Sequence, residues 1–257
     1  MSLKELGKGT LGVVYVGHYC GREVAVKKFT SQYEGDANAL SALVLHSKIL
    51  SQLRHPNFIE FYGFVVFSDV SVGIVMEKCE VSLKSLLDST PQLSNTQVQK
   101  ISMQICSALV CLHSIYNLVH GNISSNNVLV VKNGFSSIED MTFKLTDFGQ
   151  KAFFGDPFPP EAQQVDKLES YYLNVSEEVE EHQPQFKLDW SDPLVYPPYA
   201  APEVMNGEEW TAQTDIYAFG VLCTEIFLNI PPQFGQHQLN ASKVSWVSFK
   251  NILKQCL

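Results

Sequence analysis

Gly7-Lys8-Gly9-Thr10-Leu11-Gly12-Val13-Val14-Tyr15-Val16 decides how the chain is read, because glycines at this spacing let backbone N–H groups approach phosphate oxygens. A dinucleotide-binding fold needs a helix to start after the third glycine. Here Val13 to Val16 continue as strand, so the glycines form a flap over phosphates rather than a helix N-terminus. Fifteen residues past Gly12, the apolar strand Val24-Ala25-Val26 ends in Lys27. A strand-end lysine by itself can simply snorkel to water. Behind such a glycine run it becomes a candidate phosphate partner.

Working outward, residues 3 to 29 alternate as strands, with a turn at Cys20-Gly21. Ala37 to Leu53 changes to helical spacing, with Leu40, Leu43, Val44, Ser47 and Leu50 on one side. Phe58 to Phe67 and Val72 to Met76 read as a hairpin that closes a small sheet. Residues 1–77 are thus expected to form a lobe of five strands and one helix, joined through a hinge at 78–82 to a mainly helical lobe at 83–257. In that second lobe, Thr96 to Leu112 places Val98, Ile101, Ile105, Leu109 and Leu112 on one face. Thr214 to Leu228 is apolar nearly all round (Ile216, Phe219, Val221, Leu222, Ile226, Phe227), which predicts a helix buried on most sides. The fold class is α+β in two lobes.

A chain of 257 residues, 45% of them apolar, is long enough to bury a large core as one domain. Its six cysteines contain no Cys-x-x-Cys pair, so reduced thiols, mostly small core residues, are expected rather than a disulfide framework or a zinc site. Met1 is not followed by the apolar core of a signal peptide, and no window approaches the roughly 18 apolar residues of a membrane span. A cytoplasmic, intracellular protein without membrane insertion is the expectation. The net charge is −9, and the stretch 150–200 supplies most of it, with ten acids against three lysines. Such a surface repels nucleic-acid backbones and anionic lipid, which excludes both as expected partners.

Further motifs follow in order: His55-Pro56-Asn57, the run His120-Gly121-Asn122-Ile123-Ser124-Ser125-Asn126-Asn127, Asp147-Phe148-Gly149, Ala201-Pro202-Glu203 and Asp215. With the glycine run and Lys27, these make the chain resemble a protein kinase catalytic domain over almost its whole length. The wording Gly9 to Tyr15 with Val24-Ala25-Val26-Lys27-Lys28 is similar to tyrosine-kinase-like and plant receptor-like kinases. The resemblance implies that Gly7, Gly9 and Gly12 cover the phosphates of ATP, that Lys27 grips them, and that Asp147 and Asn127 hold Mg2+. It further implies that Val14, Ala25 and Leu129 enclose the adenine, with Met76 as gatekeeper and Glu77 and Cys79 at the hinge. Leu50, Phe61, His120 and Phe148 match the family's stacked hydrophobic column, anchored on Asp215.

Four positions depart from the family. Asn122 stands where an active kinase has its catalytic aspartate, and an amide cannot accept the substrate hydroxyl's proton. Losing a general base typically costs about 10² to 10⁴ in rate, roughly 3 to 5.5 kcal/mol. Ser124 replaces a lysine that steadies the transferring phosphoryl group, and His46 falls where the regulatory helix carries its glutamate, unless the register is shifted by a turn. Arg22 and Arg54 are the chain's two arginines, so Gly121 replaces the arginine that clamps a phosphorylated activation loop. The 147–203 segment is long, acidic and expected to be a solvated insertion, with a regulatory role around Ser176 as the sharper alternative. The chain is also expected to lack the last helix of the larger lobe.

The expectation is therefore a pseudokinase: a kinase fold that keeps a pocket for ATP and Mg2+ and acts by holding or regulating a protein partner, an active kinase among the candidates. A weakly active serine/threonine kinase and a scaffold that binds no nucleotide are the alternatives.

Overall fold

Strand β1 (Glu5–Gly9) runs back along β2 (Gly12–Tyr19), which turns at Cys20-Gly21 into β3 (Arg22–Phe29). Both turn residues have positive φ, 49° and 77°, the conformation that a two-residue hairpin requires and that glycine adopts without strain. The computed structural model describes residues 4–9, 12–29, 50–67, 71–132, 137–148, 198–206, 208–233, 236–245 and 247–257. Strands β4 (Phe61–Val66) and β5 (Val72–Glu77) complete a five-stranded antiparallel sheet in the order β1-β2-β3-β5-β4.

The five expected strands are all present. The expected helix at Ala37–Leu53 lies outside the described residues except at its end, where residues 50–52 are helical. The expected hairpin begins three residues later than its apolar run. Phe58 is drawn off to bridge Leu145, and Ile59 N–H donates to the Leu145 carbonyl at 2.9 Å.

The second lobe starts on a second sheet. Strand β6 (Val81–Ser82) pairs with β7 (Val128–Lys132), which pairs with β8 (Met141–Leu145). Val81 and Ser82, expected in the hinge, thus already belong to the larger lobe, because their backbone finds ladder partners on β7. Helix α1 (Leu83–Ser89) follows, then α2 (Asn95–Ser114). Ser94 starts α2 with a capping box: its Oγ accepts from Gln97 N–H at 3.3 Å while Gln97 Oε1 accepts from Ser94 N–H at 3.0 Å. All five predicted core positions of α2 are buried.

A short α3 (Pro202–Met205) leads to α4 (Ala212–Leu228), which ends at Asn229 in the left-handed conformation. Helices α5 (His237–Ser242) and α6 (Val247–Cys256) pack on it. The prediction that α4 is buried on most sides holds for Val221, Leu222, Ile226 and Phe227, but Ile216 is 42% exposed. Cys256 and Leu257 cover α4 at Gly220, one turn beyond Ile216. No helix among the described residues is long and apolar enough to cross a membrane.

Candidate functional site

The β-sheet aims its chemistry by register. Val14 lies opposite Lys27 across β2 and β3, and Ala25 lies opposite Met76 across β3 and β5. Directly paired residues share a face, and so do alternate residues of one strand, so Val14, Ala25, Lys27 and Met76 line one side of the sheet. Ala25 and Met76 are buried, and Val14 packs against the core. Leu129 of β7 is a further partly buried residue packed on that core.

The glycines divide by physical role. A Cβ on Gly12 would stand 2.1 Å from the Lys28 carbonyl oxygen, so packing of β2 on β3 demands glycine there. A Cβ on Gly7 would meet nothing within 4 Å. Packing places no demand on Gly7. Gly9 closes the ladder opposite Gly12.

Lys27 is buried, with its ammonium ion-paired to Asp147 Oδ1. Asp147 itself has φ 65°, a left-handed conformation uncommon for a residue with a side chain. Beside it, Asn122 Nδ2 makes a long 3.5 Å contact to the Asp147 carbonyl oxygen, and Asn127 Nδ2 donates to the Asn122 carbonyl oxygen at 2.8 Å. The Asn127 N–H donates to Ser124 O, and Thr146 N–H donates to Asn127 O, both at 3.0 Å. Residues 27, 122, 124, 127 and 147, far apart in sequence, thus form one connected cluster. It contains a single carboxylate, and Lys27 holds it.

Asp215 frames this loop from below. Its carboxylate accepts from His120 N–H at 2.7 Å and Gly121 N–H at 2.9 Å, and lies 2.8 Å from His113 Nε2. Gly121 has φ 69°, and the nearest atoms to a Cβ built there belong to Trp210, 3.7 Å away. The His120 imidazole is fully buried, and burial lowers its pKa against the opposing pull of the Asp215 and Asp147 carboxylates. Its Nδ1 accepts from Asn122 N–H at 3.2 Å, which leaves Nε2 buried without a hydrogen-bond partner.

Of the expected column, His120 and Phe148 touch, with ring centroids 4.7 Å apart, while Leu50 is buried and Phe61 packs against the core. Sequence reasoning missed Phe58, whose ring meets Phe148 edge-on at 5.2 Å and continues the stack toward His55 and Tyr116. Phe58 looked like part of a strand, and only its bridge to Leu145 reveals the other role.

At the hinge, Glu77 accepts from Lys144 Nζ of β8 at 2.6 Å, tying the two lobes. The Cys79 thiol is pushed up to about 12, chiefly by burial and then by the Glu77 carboxylate, so it is neutral at pH 7. Met76 is in contact with the loop before Asp147: Thr146 Oγ1 lies 3.9 Å from Met76 Sδ. His46 and Gly149 lie outside the described residues.

A second buried cluster went unpredicted. Tyr199 OH donates to Glu225 Oε2 at 2.6 Å, Ser125 Oγ donates to Glu225 Oε1 at 3.1 Å, and the two hydroxyls lie 3.0 Å apart. Burial raises the pKa values of both Glu225 and Tyr199. A second acid, ten residues beyond Asp215 inside the apolar run of α4, was the available signal.

Asp147 and Asn127 are the residues of this cluster that could hold a cation. No cluster of three or more His, Cys, Asp or Glu suited to a metal occurs among the described residues. One carboxylate and one amide oxygen would suit a magnesium ion carried by phosphates, where it would supply charge neutralisation.

Residues 1–255 match the family model described as protein kinase domain. Cyclin-dependent kinase 10 of Bos taurus is 29% identical over 234 residues, 89% of this chain and 54% of that protein. Serine/threonine-protein kinase TAO1-B of Xenopus laevis is 24% identical over 99% of this chain and 23% of its own length. Serine/threonine-protein kinase pak-2 of Caenorhabditis elegans is 28% identical over 93% of this chain and 38% of its own. The chain spans about half the length of the cyclin-dependent kinase relatives or less of the others.

Proposed function

The chain belongs to the protein kinase family, and from that premise we propose that it is a pseudokinase, a nucleotide-binding kinase fold that acts through a protein partner rather than by phosphate transfer. The single observation that carries this reading is Asn122 at the centre of a loop otherwise held in place. Its neighbours' backbone is anchored on Asp215 and its own carbonyl on Asn127, yet its side chain is an amide. An amide neither takes up the acceptor hydroxyl's proton nor carries charge, so the general-base contribution is absent. Ser124 removes a second electrostatic contribution at the same place. The Asp147 carboxylate, in contact with Lys27, does not stand in as the base.

Nucleotide binding is retained in this proposal because Val14, Ala25 and Met76 line one face of the sheet with Lys27. Asp147 and Asn127 would hold a magnesium ion on the phosphates, where it supplies charge neutralisation. A fold that closes on nucleotide without turnover can still present two lobe arrangements to a partner, an active kinase first among the candidates. Within the family we place it near the tyrosine-kinase-like and receptor-like group, on the wording of its glycine run and third strand.

A second reading, slow serine/threonine phosphorylation, is favoured by the names of the matched relatives. Two measurements on one sample separate the readings. Thermal unfolding with and without MgATP is expected to show stabilisation of about 2.7 kcal/mol at 100 times Kd. Its absence at millimolar ATP leaves the scaffold without nucleotide. Radiolabelled phosphate transfer is expected to be absent or residual; transfer that disappears in Asn122→Ala establishes the slow enzyme instead. Asn122→Asp alone is expected to leave turnover far below the roughly 1 to 100 per second of ordinary kinases.

A further inference from the structure

The outward stripe of α2 carries no charge. Lys100 and His113 are the ionisable residues of this 20-residue helix, and both are turned to partners within the chain. Lys100 Nζ donates to the Glu139 carbonyl oxygen, and His113 Nε2 lies 2.8 Å from Asp215 Oδ2. The residues exposed along the middle of the helix are Gln99, Met103, Cys106, Ser107, Val110 and Ser114, with Met103 63% and Val110 57% exposed. Steps of three and four put them on one stripe, on the side where a surface helix ordinarily carries its charged residues.

That stripe reads the same from either end. Its steps are 4, 3, 1, 3 and 4, so polar, apolar and small positions are symmetric about the point between Cys106 and Ser107. A second α2 laid antiparallel across this point sets Met103 against Val110 of the other copy, and Gln99 against its Ser114. The small Cys106 and Ser107 stand at the crossing, where they permit the helix separation of about 8 to 10 Å at which side chains interdigitate. A surface that complements itself in this way is what a two-fold contact requires.

Charge beside the stripe follows the same symmetry. Lys100 and Ser107, seven residues apart, mark one flank. Along its first half lies Glu139, whose Oε1 accepts from Gln97 Nε2 at 3.0 Å. Along its second half lies the 54–55 turn: His55 Nε2 is 3.2 Å from Ser107 Oγ, and Arg54 N–H donates to Tyr116 OH at 2.9 Å. Positions 97 and 116 are equally far from the centre, so the antiparallel arrangement brings the exposed Arg54 of each copy level with the exposed Glu139 of the other. A net charge of −9 holds copies apart in general, and this face offers them an uncharged strip bordered by opposite charges.

We propose that the chain forms a homodimer through α2, antiparallel about a two-fold axis between Cys106 and Ser107. The stripe is about 22 Å long and two of them bury roughly 400 to 500 Å² per copy, at the low end of specific interfaces, so the association is weak and reversible. It needs no nucleotide and does not rest on the reading of the cleft.

Sedimentation of the whole chain, reduced and without nucleotide, from about 5 to 300 µM is expected to show a monomer–dimer equilibrium. Met103→Glu and Val110→Glu each put an acid into the apolar contact and are expected to weaken it about tenfold or more. Arg54→Glu and Glu139→Arg should each weaken it about two- to fivefold, and the double variant should recover the wild-type dimer, which also shows that neither change acts by unfolding. A short bis-maleimide is expected to join two chains through Cys106, in the tryptic peptide 101–132, and to lose that link in Cys106→Ser while the dimer persists. A chain that stays monomeric over this range, a dimer indifferent to both glutamate substitutions, a double charge variant that does not recover, or a link through Cys20 in place of Cys106 overturns the proposal.

Discussion

The sheet wall and the loop wall of the cleft differ in what fixes their residues. On the sheet wall, the side chains on the proposed nucleotide face also build the core: Ala25 and Met76 are buried, and a Cβ on Gly12 would strike the next strand. On the loop wall, the anchoring is done by groups other than the reactive one. Asp215 holds the backbone of His120 and Gly121, and Asn127 holds the carbonyl of Asn122, whatever side chain position 122 carries. The difference teaches that the frame of this loop is fixed independently of the side chain at position 122. On the proposed reading, the frame remains while the chemistry is lost.

That separation is broken most directly at Asp215. Asp215→Ala should cost about 3 to 5 kcal/mol, because two backbone N–H groups and His113 lose a buried partner. Urea unfolding measures it, and a loss below about 1 kcal/mol would mean that the loop is framed from elsewhere. Lys27→Ala sharpens the sheet side: nucleotide stabilisation of about 2.7 kcal/mol at 100 times the wild-type Kd should disappear, as read by thermal shift with MgATP. Persistence of the shift would place the nucleotide away from Lys27.

Smaller effects distinguish the glycines. Gly12→Ala should destabilise by about 1 to 3 kcal/mol through the clash with the Lys28 carbonyl, and Gly7→Ala by less than about 0.5 kcal/mol while weakening nucleotide affinity. Equal stability losses at both positions would show that packing governs the whole flap.

The smallest effect concerns Glu225, whose folded-state pKa is raised by burial. A raised pKa favours the protonated carboxyl in the fold. Its stabilising contribution is complete below the ordinary carboxylate range and is lost as pH rises through the raised value. Glu225→Gln, which keeps a polar group in the cluster, should flatten the fall in stability above that range and change neutral-pH stability by only about 1 kcal/mol. A pH profile unchanged by the substitution would mean that Glu225 is ionised in the fold.

Legibility followed the length scale of each signal. The five strands, the buried stripe of α2 and the central run of α4 were readable because side-chain period reports burial locally. The cleft residues were named from ordered motifs, and the structure brings Lys27, Asn122, Ser124, Asn127 and Asp147 into one hydrogen-bonded cluster. Phe58 reads as strand because an aromatic in an apolar run has that appearance, and its partner Phe148 is 90 residues away. Val81 and Ser82 were placed in the hinge because a two-residue strand has no period to detect.

The amino-acid order alone determined which chemical groups this protein possesses: an amide at position 122, the lysines Lys27 and Lys28 near the end of the third strand, and no arginine after Arg54. No folding event can turn the Asn122 amide into a base. Tertiary structure alone decided which groups meet: that Lys27 closes on Asp147, that Asp215 receives two backbone N–H groups, that Glu225 binds Tyr199 and Ser125, and that Gly220 admits Cys256. The reason is physical. Composition and period are local properties of a chain, whereas contacts across about 100 residues exist only after backbone entropy has been given up to bring distant segments together.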